Sequence, residues 1–198
     1  QEENFLYENF DNLCDVLREY DMSLILADAK RNISILDASF EIFDTVGKLT
    51  DHAWRNDVQV IVESPGMMPM HMINNSMSLL SDYCQDVPLC CFSSGVTNID
   101  PTNSGVSSVI ASAIMGFNGC SMLNYSPERN SIKPNSEEDV KMAIMNYKIA
   151  AHSADVANGN PNALMRDYLI DKAKFKLNWE DQFQLSLSNF NVSELNEN

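Results

Sequence analysis

The chain has 198 residues, of which 44% are hydrophobic and 21% are charged, a composition typical of a folded domain. This length suits one domain with a full core and is short for two. The formal net charge of -15 at pH 7 repels phosphate backbones and anionic lipids, which excludes nucleic acids and membrane surfaces as expected partners. No apolar run reaches the roughly 20 residues of a membrane-spanning helix, so no membrane insertion is expected.

The elements alternate along the chain. Apolar residues three to four apart predict a leading helix over 3–19. Four apolar runs predict strands at 22–28, 58–64, 87–93 and 120–126, the first buried on both faces. Helical patterns follow the runs at about 37–56, 71–86, 105–117, 136–157 and 162–186. Alternation without hairpin signals predicts an α/β fold with a parallel sheet.

Two helices carry further local signals. Small residues in 105–117 predict close packing of that helix against its neighbours. Ser136 precedes an acidic first turn, as at a capped helix N-terminus. The stripe expected to face the core in this second helix consists of Val140, Ile144, Tyr147, Ala151 and Ala154.

The domain organisation follows from the same pattern. Four βα units behind a leading helix make half of an eight-stranded barrel or a small open sheet. No repeat or linker marks a second domain, so one domain is predicted over residues 1–188. The Asn- and Glu-rich residues 189–198 are predicted to form a loose C-terminal tail.

Five cysteines are present, and none of them shows CxxC spacing. This pattern favours buried free thiols in a reducing compartment over a disulfide framework or a zinc finger. Cys90 and Cys91 are adjacent in a predicted strand, so their side chains are expected to point to opposite faces.

Four stretches in order resemble one enzyme family: DVQVIVESPGMMPMHMI, MGFNGCSMLNY, YKIAAHSADVANGNPNALMRD and KAKFKLNWEDQFQLSL. From about Glu3 to Leu187 the chain is similar to the phosphomethylpyrimidine synthases of thiamine biosynthesis, the ThiC family. The resemblance implies a (β/α)8, TIM-type barrel, of which this chain looks like the second half. It also implies radical S-adenosylmethionine chemistry that uses an iron–sulfur cluster and a second metal.

The resemblance assigns substrate-binding positions one by one. The family's Asp-Gly-Leu-Arg stretch corresponds to Asp28-Ala29-Lys30-Arg31, which keeps both charged ends and loses the glycine. Its Glu-Gly-Pro-Gly-His loop corresponds to residues 63–67, which keep the carboxylate as Glu63. A substrate-contacting tyrosine of the family falls at Cys90.

The same comparison predicts that the metal site is lost. One metal-binding histidine of the family corresponds to Met67, and the second falls at or beside Asn130. A thioether is a poor ligand for a borderline divalent ion, which prefers imidazole, thiolate or carboxylate. The closely spaced cysteines of the family's cluster motif are also missing from this sequence. We therefore expect no cofactor, no metal and no independent catalysis.

Several residues carry two interpretations. Glu63 is either a retained substrate ligand or a strand-end carboxylate, and Asp28 with Arg31 either holds a phosphate or forms a local ion pair. His152 suits a packed, hydrogen-bonded role better than catalysis. A Met-rich packing or partner surface is favoured over a soft copper site for the four methionines Met67, Met68, Met70 and Met72.

The predicted function is that of a catalytically inactive, ThiC-like structural or interaction subunit of a larger complex. A half barrel leaves two open strand edges and an apolar interior, so other protein chains are expected to complete the sheet. The partner is either a second copy or a chain carrying the missing half. The alternatives are a subunit or fragment of an active synthase, or a small-molecule binding protein. The Asn-rich composition favours a plastid or other organelle over the cytoplasm.

Overall fold

The computed structural model describes residues 4–27, 40–92, 95–97, 99, 104–125 and 136–187. Its strands are β1 (Leu24–Leu26), β2 (Val60–Glu63), β3 (Leu89–Phe92) and β4 (Met122–Asn124). Its first helices are α1 (Phe5–Glu8), α2 (Phe10–Glu19), α3 (Phe40–Arg55) and α4 (Met70–Tyr83). The remaining helices are α5 (Ser104–Phe117), α6 (Glu137–Ala157), α7 (Pro161–Phe175) and α8 (Trp179–Leu185).

The four strands form one parallel sheet in the order β1-β2-β3-β4. The predicted α/β class and the four βα units are therefore confirmed. Each strand is shorter than its apolar run, because the end residues belong to the loops. The predicted start of α3 near Asp37 lies outside the described residues, and the region predicted as helical over 162–186 divides into α7 and α8.

One face of the sheet meets the helices and forms the core. Val62 and Cys91 point to this face and are 1% and 0% exposed. They pack in one cluster with the largest buried side chains of α4 and α5: Ile73, Met77, Leu80 and Met115. Burial of these apolar side chains is the main force that holds the helices on the sheet.

The opposite face of the sheet is partly open, and here the prediction that the first strand is buried on both faces was wrong. Ile25 of β1 is 50% exposed and Met122 of β4 is 44% exposed. Both residues lie on the strands that have a single strand neighbour among the described residues. Because the helices cover the other face, the apolar side chains of the edge strands on this face stay exposed among the described residues.

Helices α5 and α6 pack through small residues. A Cβ added to Gly116 of α5 would lie 2.9 Å from the Cβ of Ala154 in α6, so only glycine allows this approach. The predicted cap of α6 is confirmed: the Ser136 hydroxyl accepts from the Asp139 amide, and the Asp139 carboxylate accepts from the Ser136 amide. His152 of α6 contacts Asp167 of α7 at 2.7 Å, the packed role predicted for it.

The boundary at 188 and the tail 189–198 lie outside the described residues, so both stay predictions. Across the described helices, none combines the length and the apolar character needed to cross a membrane. None of the five cysteines, all of which lie in the described residues, forms a disulfide, and four of them are buried, as predicted from their spacing.

Candidate functional site

The candidate site lies where the parallel strands end, the edge at which barrel enzymes hold their catalytic loops. Glu63 is the last residue of β2, lies opposite Cys90 of β3 in the register, and is 5% exposed. The Ser64 amide donates to the Cys90 carbonyl oxygen at 2.8 Å, which continues the strand pairing one residue past β2. The sheet therefore fixes the start of the loop 64–69.

The tip of this loop is fixed by a neighbouring segment. The Met68 amide donates to the carbonyl oxygen of Gly95 at 2.9 Å, and the Met68 side chain is 3% exposed in the core cluster. The methyl carbon of Met67 lies 3.5 Å from the position that a Cβ on Gly95 would take. Met67, the residue predicted to stand at the family's metal-ligand position, is thus half-buried against the backbone of the next loop.

The segment 95–97 is in turn held by the hydroxyl of Ser107 in α5. Ser107 Oγ accepts from the amides of Val96 and Thr97 at 2.9 and 3.0 Å and donates to the Thr97 carbonyl oxygen at 2.9 Å. One buried hydroxyl therefore satisfies three backbone groups of an irregular segment. The loop after β2 rests on this segment, so Ser107 positions both.

We expect the Ser107→Ala variant to lose about 0.5–1.5 kcal/mol of stability, because the amides of Val96 and Thr97 lose the hydroxyl that accepts from them. The amides of residues 64–69 and 95–97 should also exchange faster with solvent deuterium. Ser153→Ala is the matched control, since that exposed hydroxyl bonds only the Ile149 carbonyl of its own helix. Equal stability of the two variants in urea unfolding would show that Ser107 does not hold the segment.

The strand ends also bring polar groups of β3 and β4 together. The Asn124 side-chain amide donates to the sulfur of Cys90 at 3.1 Å. Cys90 is 1% exposed and points to the face opposite the helices, as the alternation predicted, whereas Cys91 points toward them. The residue predicted to stand at the family's tyrosine position is therefore a small, buried thiol with an amide partner.

Sulfur atoms form a group on the helix side of β3. The sulfur of Cys91 lies 3.3 Å from that of Met115 in α5, which also accepts from the Ser64 hydroxyl at 3.7 Å. A hydrogen bond with Cys91, together with burial, raises the pKa of the Cys120 thiol. A raised pKa keeps this thiol protonated and unreactive at neutral pH. The group is a packing element that links α5 to the loop after β2.

The structure describes three of the predicted site residues and not the other three. Glu63, Met67 and Cys90 are at the same end of the sheet, whereas Asp28, Arg31 and Asn130 lie outside the described residues. The positioning roles of Ser107 and Met115 were missed. The only sequence signal for them was that both lie in the small-residue helix 105–117, which marks close packing but not a specific contact.

The whole chain, residues 1–198, matches the model of the radical SAM ThiC family. The chain belongs to the radical SAM ThiC family. The predicted resemblance is confirmed, and the four parallel βα units are part of the TIM-type barrel of this family. Membership relates the chain to thiamine biosynthesis.

The ThiC family implies a metal beside this loop, and the residues present do not fit one. The loop offers the Glu63 carboxylate and the Met67 thioether, and a thioether binds borderline divalent ions poorly. Within the described ranges, no three His, Cys, Asp or Glu side chains are grouped to hold a metal ion. Of the four methionines, Met68 is in the core and Met70 is 56% exposed, so they do not share one environment.

Proposed function

We propose that this ThiC-family chain is catalytically inactive and serves as a structural or interaction subunit of a larger complex. The observation that carries the proposal is Met67, which stands at a ligand position in a loop that is otherwise well fixed. The loop keeps its carboxylate and its backbone hydrogen bonds, yet the side chain that would bind a metal is a thioether.

The pattern of changes supports the same proposal. The core face of the sheet and the helix packing keep the apolar and small residues that the fold needs. The substitutions fall at ligand positions instead: Met67 here, Asn130 for the second histidine and Cys90 for the tyrosine. This pattern is expected of a chain whose fold and partner contacts are still needed and whose catalytic reaction is not.

An assembly role is supported by the open sheet face and the edge strands. The half-exposed Ile25 and Met122 are the side chains that a further part of a barrel would cover. We propose that other protein chains complete this surface, either a second copy or a chain that supplies complementary strands and helices. A plastid or other organelle is the proposed compartment.

We expect the wild-type chain to bind no Co²⁺ at the loop, whereas Met67→His/Asn130→His gains a 1:1 site, because imidazole replaces both poor ligands. Visible absorption of Co²⁺ in a titration measures this. Met70→His/Asn130→His is the matched control, since Met70 is an exposed neighbour outside the ligand position. A 1:1 Co²⁺ site in the wild-type chain that Glu63→Gln abolishes would contradict the proposed loss.

The second candidate function is that of a subunit or fragment of an active 4-amino-5-hydroxymethyl-2-methylpyrimidine phosphate synthase. The observation that favours it is Glu63, which is retained at the family's carboxylate position and held at the strand end. Native mass spectrometry and metal analysis of the protein from its own source separate the two. A stoichiometric complex without iron or zinc supports the structural subunit, and a metal-loaded complex with a cluster-bearing partner supports the synthase.

A further inference from the structure

Three sulfur atoms converge on the helix side of β3. The sulfur of Cys91 lies 3.3 Å from that of Met115 in α5, and the Cys120 thiol forms a hydrogen bond with Cys91. The backbone also fixes Cys120, because its amide donates to the Met115 carbonyl oxygen at 3.0 Å. β3, α5 and the segment before β4 each contribute one of these sulfur side chains, which together are named the sulfur trio.

The sulfur trio has the ligand set of a soft metal ion. Thiolate and thioether sulfur select Cu(I), whereas harder ions prefer sets that include imidazole, carboxylate or water. Among the described residues, no third His, Cys, Asp or Glu joins Cys91 and Cys120 in a group that could hold a metal ion. The four ligands of a tetrahedral zinc site are therefore not available there, whereas Cu(I) accepts three sulfur ligands.

The spacing of the sulfurs is close to the spacing that a trigonal ion requires. With metal–sulfur bonds of about 2.3 Å, three ligands around one ion lie about 4.0 Å apart. The contact of 3.3 Å between Cys91 and Met115 must then widen by about 0.7 Å. Met115 can supply this movement, because the methionine side chain has several rotatable bonds and adapts to irregular sites.

Cys120 connects the sulfur trio to solvent. Cys91 and Met115 are 0% exposed, whereas Cys120 is half-buried and lines a cavity of about 450 Å³ between β4 and α6. Two exposed side chains of α6, Lys148 and Asp155, line the same cavity. A metal ion can therefore reach the Cys120 sulfur from the surface without an opening of the core.

We propose that Cys91, Cys120 and Met115 form a binding site for one Cu(I) ion, with the two thiol sulfurs and the thioether sulfur as its ligands. Each thiol that binds the ion loses its proton to water. Before binding, the hydrogen bond with Cys91 and burial raise the pKa of the Cys120 thiol, so the ion displaces a proton there. The site is separate from the position of Met67 and is independent of the proposed assembly role.

The first test is a titration of the full, reduced chain with Cu(I), without oxygen and against a chromophoric chelator that competes for the ion. We expect the wild-type chain to hold one Cu(I), and Cys91→Ala and Cys120→Ala to lose it. Cys84→Ala is the matched control for Cys91→Ala, since both thiols are 0% exposed and Cys84 lies at the end of α4, outside the trio. A wild-type chain that holds no Cu(I), or an equal loss in Cys84→Ala, overturns the site.

The second test counts the ligands by X-ray absorption at the copper edge. We expect three sulfurs at about 2.3 Å in the wild-type chain and two in Met115→Leu, which keeps most of the buried volume. Met115→Leu should also weaken Cu(I) binding by at least the roughly tenfold cost of outer-shell changes at metal sites. Met77→Leu is the matched control, because Met77 is a methionine of α4 that is 1% exposed and lies outside the trio. Three sulfurs around copper in Met115→Leu contradict the assigned ligand set.

The third test separates binding by the folded chain from binding by an unfolded chain with five cysteines. An ion that binds the folded state raises the urea midpoint, whereas an ion captured by the unfolded state lowers it. We expect one equivalent of Cu(I) to raise the midpoint of the wild-type chain and not that of Cys91→Ala/Cys120→Ala. A lower midpoint of the wild-type chain with Cu(I) overturns the site. Because none of these readouts measures subunit composition, their failure leaves the proposed function in place.

Discussion

Replacing Met115 by alanine is expected to destabilise the protein by about 2–5 kcal/mol, the range for truncating a large buried side chain. Met115 is 0% exposed, and its sulfur contacts Cys91 and the Ser64 hydroxyl. The cavity would therefore open between α5 and the first residue of the loop after β2. Urea unfolding measures the loss, and hydrogen exchange should show faster opening of residues 64–69 than of α7.

Met115→Leu is the control for this prediction. Leucine keeps most of the volume and removes the sulfur, so a cost below about 1.5 kcal/mol is expected. If leucine costs as much as alanine, the sulfur contacts rather than the filled volume hold α5 to the loop. If neither variant changes exchange at residues 64–69, the loop does not depend on this contact.

The second large effect is expected at Gly47, where α3 and α4 approach each other. A Cβ added there would lie 2.3 Å from the carbonyl oxygen of Tyr83, far inside van der Waals contact. Because the contacted atom belongs to the backbone, the two helices must separate. Gly47→Ala should cost about 2–3 kcal/mol, although alanine is the better helix former. The shift of the urea midpoint with unchanged slope measures it.

Gly105→Ala provides the opposite expectation at a comparable position. Gly105 lies in the first turn of α5, and among the described residues no atom lies within 4 Å of its added Cβ. Alanine should therefore stabilise the protein by up to about 1 kcal/mol through helix propensity. If the two variants change stability in the same direction, the close approach of α3 and α4 is not present in solution.

The sequence predicted the elements well because hydrophobic periodicity is a local property. The parallel order of the strands, the cap at Ser136 and the close packing around Gly116 all followed from residues near one another in the chain. The family was also predicted, and the match over the whole chain confirms it. The burial of individual side chains was harder to predict, because it depends on which elements pack against each face of the sheet. Ile25 lies in an apolar run and is nevertheless half-exposed at an edge strand.

The candidate site was predicted only in part. The strand pattern placed Glu63 near the end of β2 and Met67 in the turn that follows, and the structure has both residues there. No sequence pattern indicates that Ser107 bonds residues 96 and 97, because the partners are ten or more residues away and the bonds go to backbone groups. Side-chain to backbone contacts of this kind depend on how a helix end meets a loop.

By itself, the sequence determined the α/β class, the order of the four βα units and the family. Each of these depends on residue identity or on local periodicity. Only the tertiary structure decided which apolar faces are covered. α7 shows the reason: its buried alanines face the protein, and its large apolar side chains are left outward. Helical spacing identifies a face, and packing decides which face meets the core.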